Sequence, residues 1–172
     1  HHHLAHVASA YLCSPFEDCG GLSVDASGHF ASAMWAHCRG GDIRILHRTL
    51  GPHSAGVFYT AMTQFLGFSR FGEEYKVMGL SAYGVPRFLP LMRKMIRYSP
   101  KDGLELDLDF FIHHRSEVSH EKFDGDEILV PTPYSERLVR ELGPARERGA
   151  ELPDRDRDLA ASMQVRYEEV FL

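Results

Sequence analysis

The sequence predicts a mixed α/β chain of the α+β kind, with an antiparallel three-stranded meander over residues 20–50 and helices flanking it. Three observations lead there. Between residues 20 and 50, apolar residues alternate with polar or small ones. Two breaks, Ala26-Ser27-Gly28 and Gly40-Gly41-Asp42, have hairpin-turn composition and cut that stretch into strand-length pieces. On either side, apolar residues recur at helical spacing, and a 44% hydrophobic, 25% charged composition is enough to bury a core.

The elements follow in order. His2 to Leu12 reads as a helix, with Leu4, Ala5, Ala8, Tyr11 and Leu12 at helical spacing, and Ser14-Pro15 ends it. The strands are Gly20 to Asp25, Phe30 to Arg39 and Ile43 to Leu50. A helix is expected over His53 to Leu66 and a shorter one around Glu74 to Leu80. Pro86 to Arg97 reads as a basic amphipathic helix, with Phe88, Leu91, Met92 and Met95 on one face. After a turn at Ser99 to Gly103, Leu104 to Phe111 alternates leucine with acidic residues, as an edge strand does. Residues 112–153 are irregular and polar, with one helix near Ser135 to Leu142, and Asp156 to Leu172 is the closing helix. The chain thus divides into a helix at 1–16 (a metal-binding helix, on the reading of its histidines given below), the meander at 20–50, and a mainly helical insert with a return helix at 51–172.

The net charge of -5 offers no electrostatic reason to bind nucleic acid or an anionic membrane. No apolar run reaches the roughly 18 residues of a membrane span. Cys13, Cys19 and Cys38 have no metal-ligand spacing and read as reduced core thiols of a cytoplasmic protein. The 172 residues suit one domain or part of a larger one, and both ends read as cut edges of a longer chain.

Four segments carry chemistry. His2 and His6 stand four apart, so a helix puts both imidazoles on one face, about 5–6 Å apart at Cβ. Two neutral imidazoles at that spacing chelate a divalent metal, although the spacing alone also admits a tag remnant or ordinary surface or core histidines. No third ligand is evident beside them. Asp25, followed by Ala26-Ser27-Gly28, places a carboxylate at a strand end before small residues whose N–H groups can approach a phosphate; the Asp can hold a metal or a hydroxyl and is expected to face the two imidazoles across a shared pocket, although an ordinary turn has the same composition. Gly51-Pro52-His53-Ser54 precedes a helix, where His53 or Ser54 caps free N–H groups that attract anions. Lys76 follows the Glu73-Glu74 pair and suits either a phosphate oxygen or an ion pair with Glu73. His37, His47, His113, His114 and His120 belong to no constellation and read as structural or solvated.

Together, HHLAHVASAYLCSPF (His2 to Phe16), VDASG (Val24 to Gly28), GPHSAGVFYTAMTQFLGF (Gly51 to Phe68) and EEYKVMGLSAYG (Glu73 to Gly84) resemble, in order and spacing, the O-carbamoyltransferase family. That family includes nodulation protein U and the cephem and aminoglycoside O-carbamoyltransferases of antibiotic biosynthesis. The tail DLAASMQVRYEEVFL (Asp158 to Leu172) resembles the family helix that precedes a nucleotide-binding glycine motif.

The resemblance implies part of an actin-like ATPase fold, in the Kae1-like branch shared with the tRNA threonylcarbamoyl-adenosine synthases. It implies a divalent metal, often iron, held by His2 and His6. ATP and carbamoyl phosphate would be co-substrates, and a YrdC-like domain elsewhere in the same polypeptide would make carbamoyl-adenylate. The carbamoyl group would then pass to a hydroxyl of a small-molecule acceptor. Asp25, Lys76 and His53 are the candidate catalytic residues; Asp25, Gly28, Ser54 and Lys76 are candidates for cofactor binding. The family's third metal ligand, an Asp, and its adenosine-binding glycines would lie beyond Leu172, so the piece alone would be inactive.

Two departures stand out. The family's Asp-Gly-x-Gly-Glu hairpin is Asp25-Ala26-Ser27-Gly28-His29 here, so a glycine becomes Ala26 and the glutamate becomes His29. The competing readings are a hydrogenase-maturation or tRNA threonylcarbamoyl-type transferase, and a non-catalytic actin-like nucleotide-binding module.

Overall fold

The computed structural model describes residues 2–101, 103–115, 122–124, 127–129 and 131–172. His120, and Asp102 within the turn from Ser99 to Gly103, lie outside the described residues. The chain forms two compact units, one of residues 1–56 with 98–105, the other of residues 57–97 with 106–172.

The first unit opens with helix α1 (His2–Leu12). Strands β1 (Asp18–Gly28), β2 (Ala31–Arg39) and β3 (Asp42–Leu50) follow and pair antiparallel in the order β1-β2-β3, as the turn residues predict. The central strand β2 is buried over most of its length and built from small or flexible residues, among them Ala33, Met34, Ala36 and Cys38. Val7 and Tyr11 of α1 pack on Ala36 and Cys38, with Cys19 and Ile43 at the edge of that cluster. All three cysteines are free thiols.

Two expectations are corrected here. The buried stripe of α1 is His3, Val7 and Tyr11, not the stripe through Leu4 and Ala8. Burying His3 is tolerable because its ring is hydrogen-bonded on both nitrogens, which removes the penalty of an unpartnered polar group. The first hairpin also does not turn at Ala26-Ser27-Gly28. Strand β1 runs on to Gly28 through a register shift after Val24, and the chain reverses at His29 and Phe30, both with positive φ (51° and 66°). Phe rarely adopts that conformation, whereas His, like Asn and Asp, does so more often than most side chains.

The second unit contains most of α2 (Ala55–Phe65), then α3 (Glu74–Ser81) and α4 (Leu89–Met95). Strands β4 (Ile96–Ser99) and β5 (Gly103–Leu106) pair with each other, as do β6 (Lys122–Asp124) and β7 (Glu127–Leu129). Helices α5 (Glu136–Leu142) and α6 (Asp154–Phe171) close the chain. The expected helix over residues 86–97 is therefore shorter: Ile96 is already extended and begins β4. The expected strand over 104–111 stops at Leu106, because the Asp107 carboxylate accepts from the Asp109 N–H and caps a single 3-10 turn at Leu108–Phe110. Ser135 caps α5 by accepting from the Arg137 N–H.

Helix α6 organises this unit, with α3 and α4 packed on it. The loop after α3 is seated on α6 by polar groups: Asp158 accepts from the Val85 N–H at 2.7 Å and pairs with Arg87 at 3.2 Å, and Ser162 Oγ accepts from the Phe88 N–H at 2.9 Å. Gly84 comes so close that an added Cβ would lie 2.0 Å from the Arg157 carbonyl oxygen. At the far end of α6, Glu169 binds Arg93 of α4 and Arg166. The two guanidiniums hydrogen-bonded to Glu169 hold its carboxyl at about 2, against an ordinary 4.5.

Two outcomes follow from this packing. Gly84→Ala should destabilise the fold by about 1–3 kcal/mol in chemical denaturation, since rigid backbone faces the new methyl group. Because Glu169 has a depressed pKa when folded, its stabilising contribution is complete above the ordinary value of 4.5 and fades as pH falls toward about 2. The gap in urea midpoint between the wild type and Glu169→Gln should therefore be constant near neutrality and close as pH falls through that window.

Candidate functional site

The site lies in the first unit, where the first turn of α1 faces the end of β1. Burial of His3 sets the rotation of α1: His3 Nδ1 meets Ser23 Oγ at 2.9 Å and Nε2 meets the Ala31 carbonyl at 3.0 Å. With His3 inside, His2 and His6 share the adjacent flank. Their Nε2 atoms are 3.2 Å apart and their rings meet edge to face at 4.6 Å. Asp25 completes the group, with Oδ2 at 2.7 Å from His2 Nε2 and 4.0 Å from His6 Nε2. One donor atom from each of these three residues lies within 4.8 Å of the others.

The register shift in β1 is what turns Asp25 toward α1. Its backbone is held from the other side by Ser54, whose buried hydroxyl donates to the Ala26 carbonyl at 2.8 Å and the Asp25 carbonyl at 3.3 Å. The Asp25 Oδ1 atom accepts from the Ala26 N–H at 2.7 Å. Partial burial pushes the Asp25 carboxyl up, but the His2 hydrogen bond, the Ala26 N–H and the neighbouring imidazoles together outweigh it. The carboxyl ends below its ordinary range and is ionised at neutral pH. Gly28 forms the floor: a Cβ there would sit 2.1 Å from a carbon of the His2 ring. Its φ is not left-handed, so glycine is required for room and not for a turn.

Of the residues singled out from sequence, the structure brings His2, His6, Asp25, Gly28 and Ser54 into one neighbourhood. His53 is half-buried just before α2, and its carbonyl accepts from Ser32 Oγ at 2.5 Å. Lys76 belongs to the second unit, where Glu73 holds its amine at 2.5 Å and the rings of Phe68 and Tyr75 lie 5.9 Å away. Burial raises the Glu73 carboxyl, but Lys76 and the Arg70 N–H bring it below its ordinary range. Asp25 stands with the two imidazoles, 23 residues from His2, as the sequence reading expects; the feature that reading misses is His3, which aims them. Only the abundance of polar residues at 2–6 hinted at His3.

The donor set suits a divalent cation. Two imidazole nitrogens and one carboxylate are the donors that iron takes in two-histidine, one-carboxylate centres. Ligand bonds of about 2.0–2.2 Å put neighbouring donors about 3 Å apart, close to the two shorter separations here. A separate groove of about 620 Å³ at the other end of α1, lined by Tyr11, Phe16, Asp18 and Arg39 among others, holds none of these donors.

A mixed α/β chain with a His–His–Asp cluster at the junction of its first helix and sheet is thus in place. The family model for the carbamoyltransferase N-terminus matches residues 1–172, and the chain belongs to that carbamoyltransferase family. It is 31% identical over 172 residues, or 99% of the chain, to the Synechocystis sp. protein sll1178, of which the match covers 26%. It is 40% identical over 85 residues to nodulation protein NolNO of Sinorhizobium fredii, covering 49% of this chain and 12% of that one. It is 35% identical over 109 residues to nodulation protein NolO of Bradyrhizobium diazoefficiens, covering 63% and 20%. The chain therefore spans about a quarter or less of the length of these relatives. Among the described residues, no helix is long and apolar enough to cross a membrane.

The floor makes a direct test. Gly28→Ala should displace the His2 ring and weaken Co²⁺ binding by the full-length protein about 10-fold or more, as displaced support around a metal site does. Equal affinity in a calorimetric titration would show that the ring does not need that space.

Proposed function

We propose that the chain is the metal-carrying part of an O-carbamoyltransferase that moves a carbamoyl group from carbamoyl-adenylate to a hydroxyl of a small molecule. The observation that carries this reading is the convergence of His2, His6 and Asp25 in a member of a carbamoyltransferase family. Carbamoyl-adenylate would be made from ATP and carbamoyl phosphate by a YrdC-like domain of the same polypeptide. The setting is natural-product biosynthesis in the cytoplasm. The antiparallel meander β1-β2-β3 supports placing the chain within an actin-like, Kae1-like fold, in which such a sheet opens a subdomain.

In this proposal His2, His6 and Asp25 hold a divalent metal, with iron favoured by the donor set. Such an ion, when bound, supplies Lewis acidity toward phosphate or carbamoyl oxygens. The protein's own part is orientation and charge. Asp25 presents an ionised carboxylate fixed by the Ala26 N–H and by the Ser54 clamp on its strand. The acceptor hydroxyl attacks the carbamoyl carbon, its proton passes to a positioned base, and AMP departs. His53 is proposed as a contact for phosphate or carbamoyl oxygens at this site; Lys76 is proposed as such a contact within its own unit, where it would exchange Glu73 for the ligand. The mild negative charge supports a small-molecule acceptor over tRNA.

The test uses the full-length protein with carbamoyl phosphate, ATP and a panel of hydroxyl compounds, and measures AMP released. Acceptor-dependent release, reduced about 100-fold or more by His2→Ala or His6→Ala, is the expected result. Absence of release with every acceptor would favour a nucleotide-binding module without catalysis.

A further inference from the structure

We infer that His29 is a positioning residue for the His2–His6–Asp25 cluster, acting as the hydrogen-bond acceptor that anchors the first turn of α1 to the β1–β2 turn. This rests on the metal reading proposed above. In α1 the His2 N–H donates to His29 Nδ1 at 3.3 Å, across 27 residues of sequence. Accepting at Nδ1 leaves the proton of the neutral ring on Nε2, so the bond also selects the tautomer. The ring stands 6.4 Å from that of His2.

The backbone supports a dedicated role. His29 and the adjacent Phe30 both take left-handed φ, 51° and 66°, and both side chains are solvent-exposed, so burial does not explain the conformation. Strained backbone of this kind persists where the surroundings hold it in place. The result is that one turn touches His2 on two sides: Gly28 underlies its ring and His29 accepts from its backbone, while Asp25 takes its Nε2. Successive helical residues are turned by about 100°, so a slip of one residue at this anchor would swing both imidazoles off Asp25. His3 fixes the rotation from below, and His29 holds the backbone at His2 from the rim.

The experiment compares two variants in the full-length protein. His29→Gly keeps the left-handed turn and removes the acceptor. His29→Asn keeps both, because Asn tolerates that φ and carries an amide oxygen where His carries Nδ1. Two quantities are read: Co²⁺ affinity with its visible spectrum, and amide exchange in the first turn of α1. The expected result is about 10-fold weaker binding with an altered spectrum and faster exchange for His29→Gly, and near-complete rescue by His29→Asn. Wild-type affinity and exchange in His29→Gly would overturn the inference and leave the metal reading intact, and so would equal losses in both variants. Should the wild type bind no Co²⁺, the metal reading fails, and the exchange rates alone decide: faster in Gly and normal in Asn supports the anchor, no difference overturns it.

Discussion

The first unit depends on the burial of one imidazole. His3 is 2% exposed, and its two ring nitrogens meet Ser23 on β1 and the Ala31 carbonyl on β2. Each such bond adds only about 0.5–1.5 kcal/mol net, whereas leaving a buried ring nitrogen unpartnered costs more. The pair of bonds therefore acts chiefly as a selector. It excludes rotations of α1 that would bury Leu4 in place of His3, and it ties the helix to two strands at once. Everything at the site inherits that rotation: His2 and His6 fall on the neighbouring flank, opposite the bend that carries Asp25.

The second unit solves a different problem, the seating of a glycine-containing loop on a polar helix. Segment 73–84, the most specific part of the family resemblance, spends its residues on packing and internal pairing. Val77 is fully buried, Lys76 is paired with Glu73, and Gly84 lies against the backbone of α6. Asp158 and Ser162 then accept the N–H groups of Val85 and Phe88 that the loop leaves open. Buried Asp156 is held up in pKa by desolvation, partly offset by Arg155 and Arg146.

The meander, the first helix and the closing helix were legible because their signals are local. Strand alternation, the Gly40-Gly41 turn and helical spacing at 154–171 depend on neighbours a few residues away. The errors have a common origin. Asp107 stopped a strand by capping with its own side chain, and Ile96 left a helix for a pairing with β5, choices that local pattern does not weigh. The turn at His29 and Phe30 was missed because side-chain type argued for Ala26-Ser27-Gly28, while the space above Gly28 was already taken by the His2 ring.

By itself, the sequence determined that two histidines would share a helix flank, that a carboxylate would lie on the first strand, and that an α+β chain would contain both. Those follow from the period of a helix and from turn composition, which are properties of the chain alone. Only the tertiary structure decided that His2, His6 and Asp25 meet, that Ser54 and Gly28 support them, and that His3 is inside. Such convergence depends on how α1 is rotated over the sheet and on an irregular register after Val24. Both are settled by satisfying buried polar groups across more than 20 residues, a balance that no window of sequence contains.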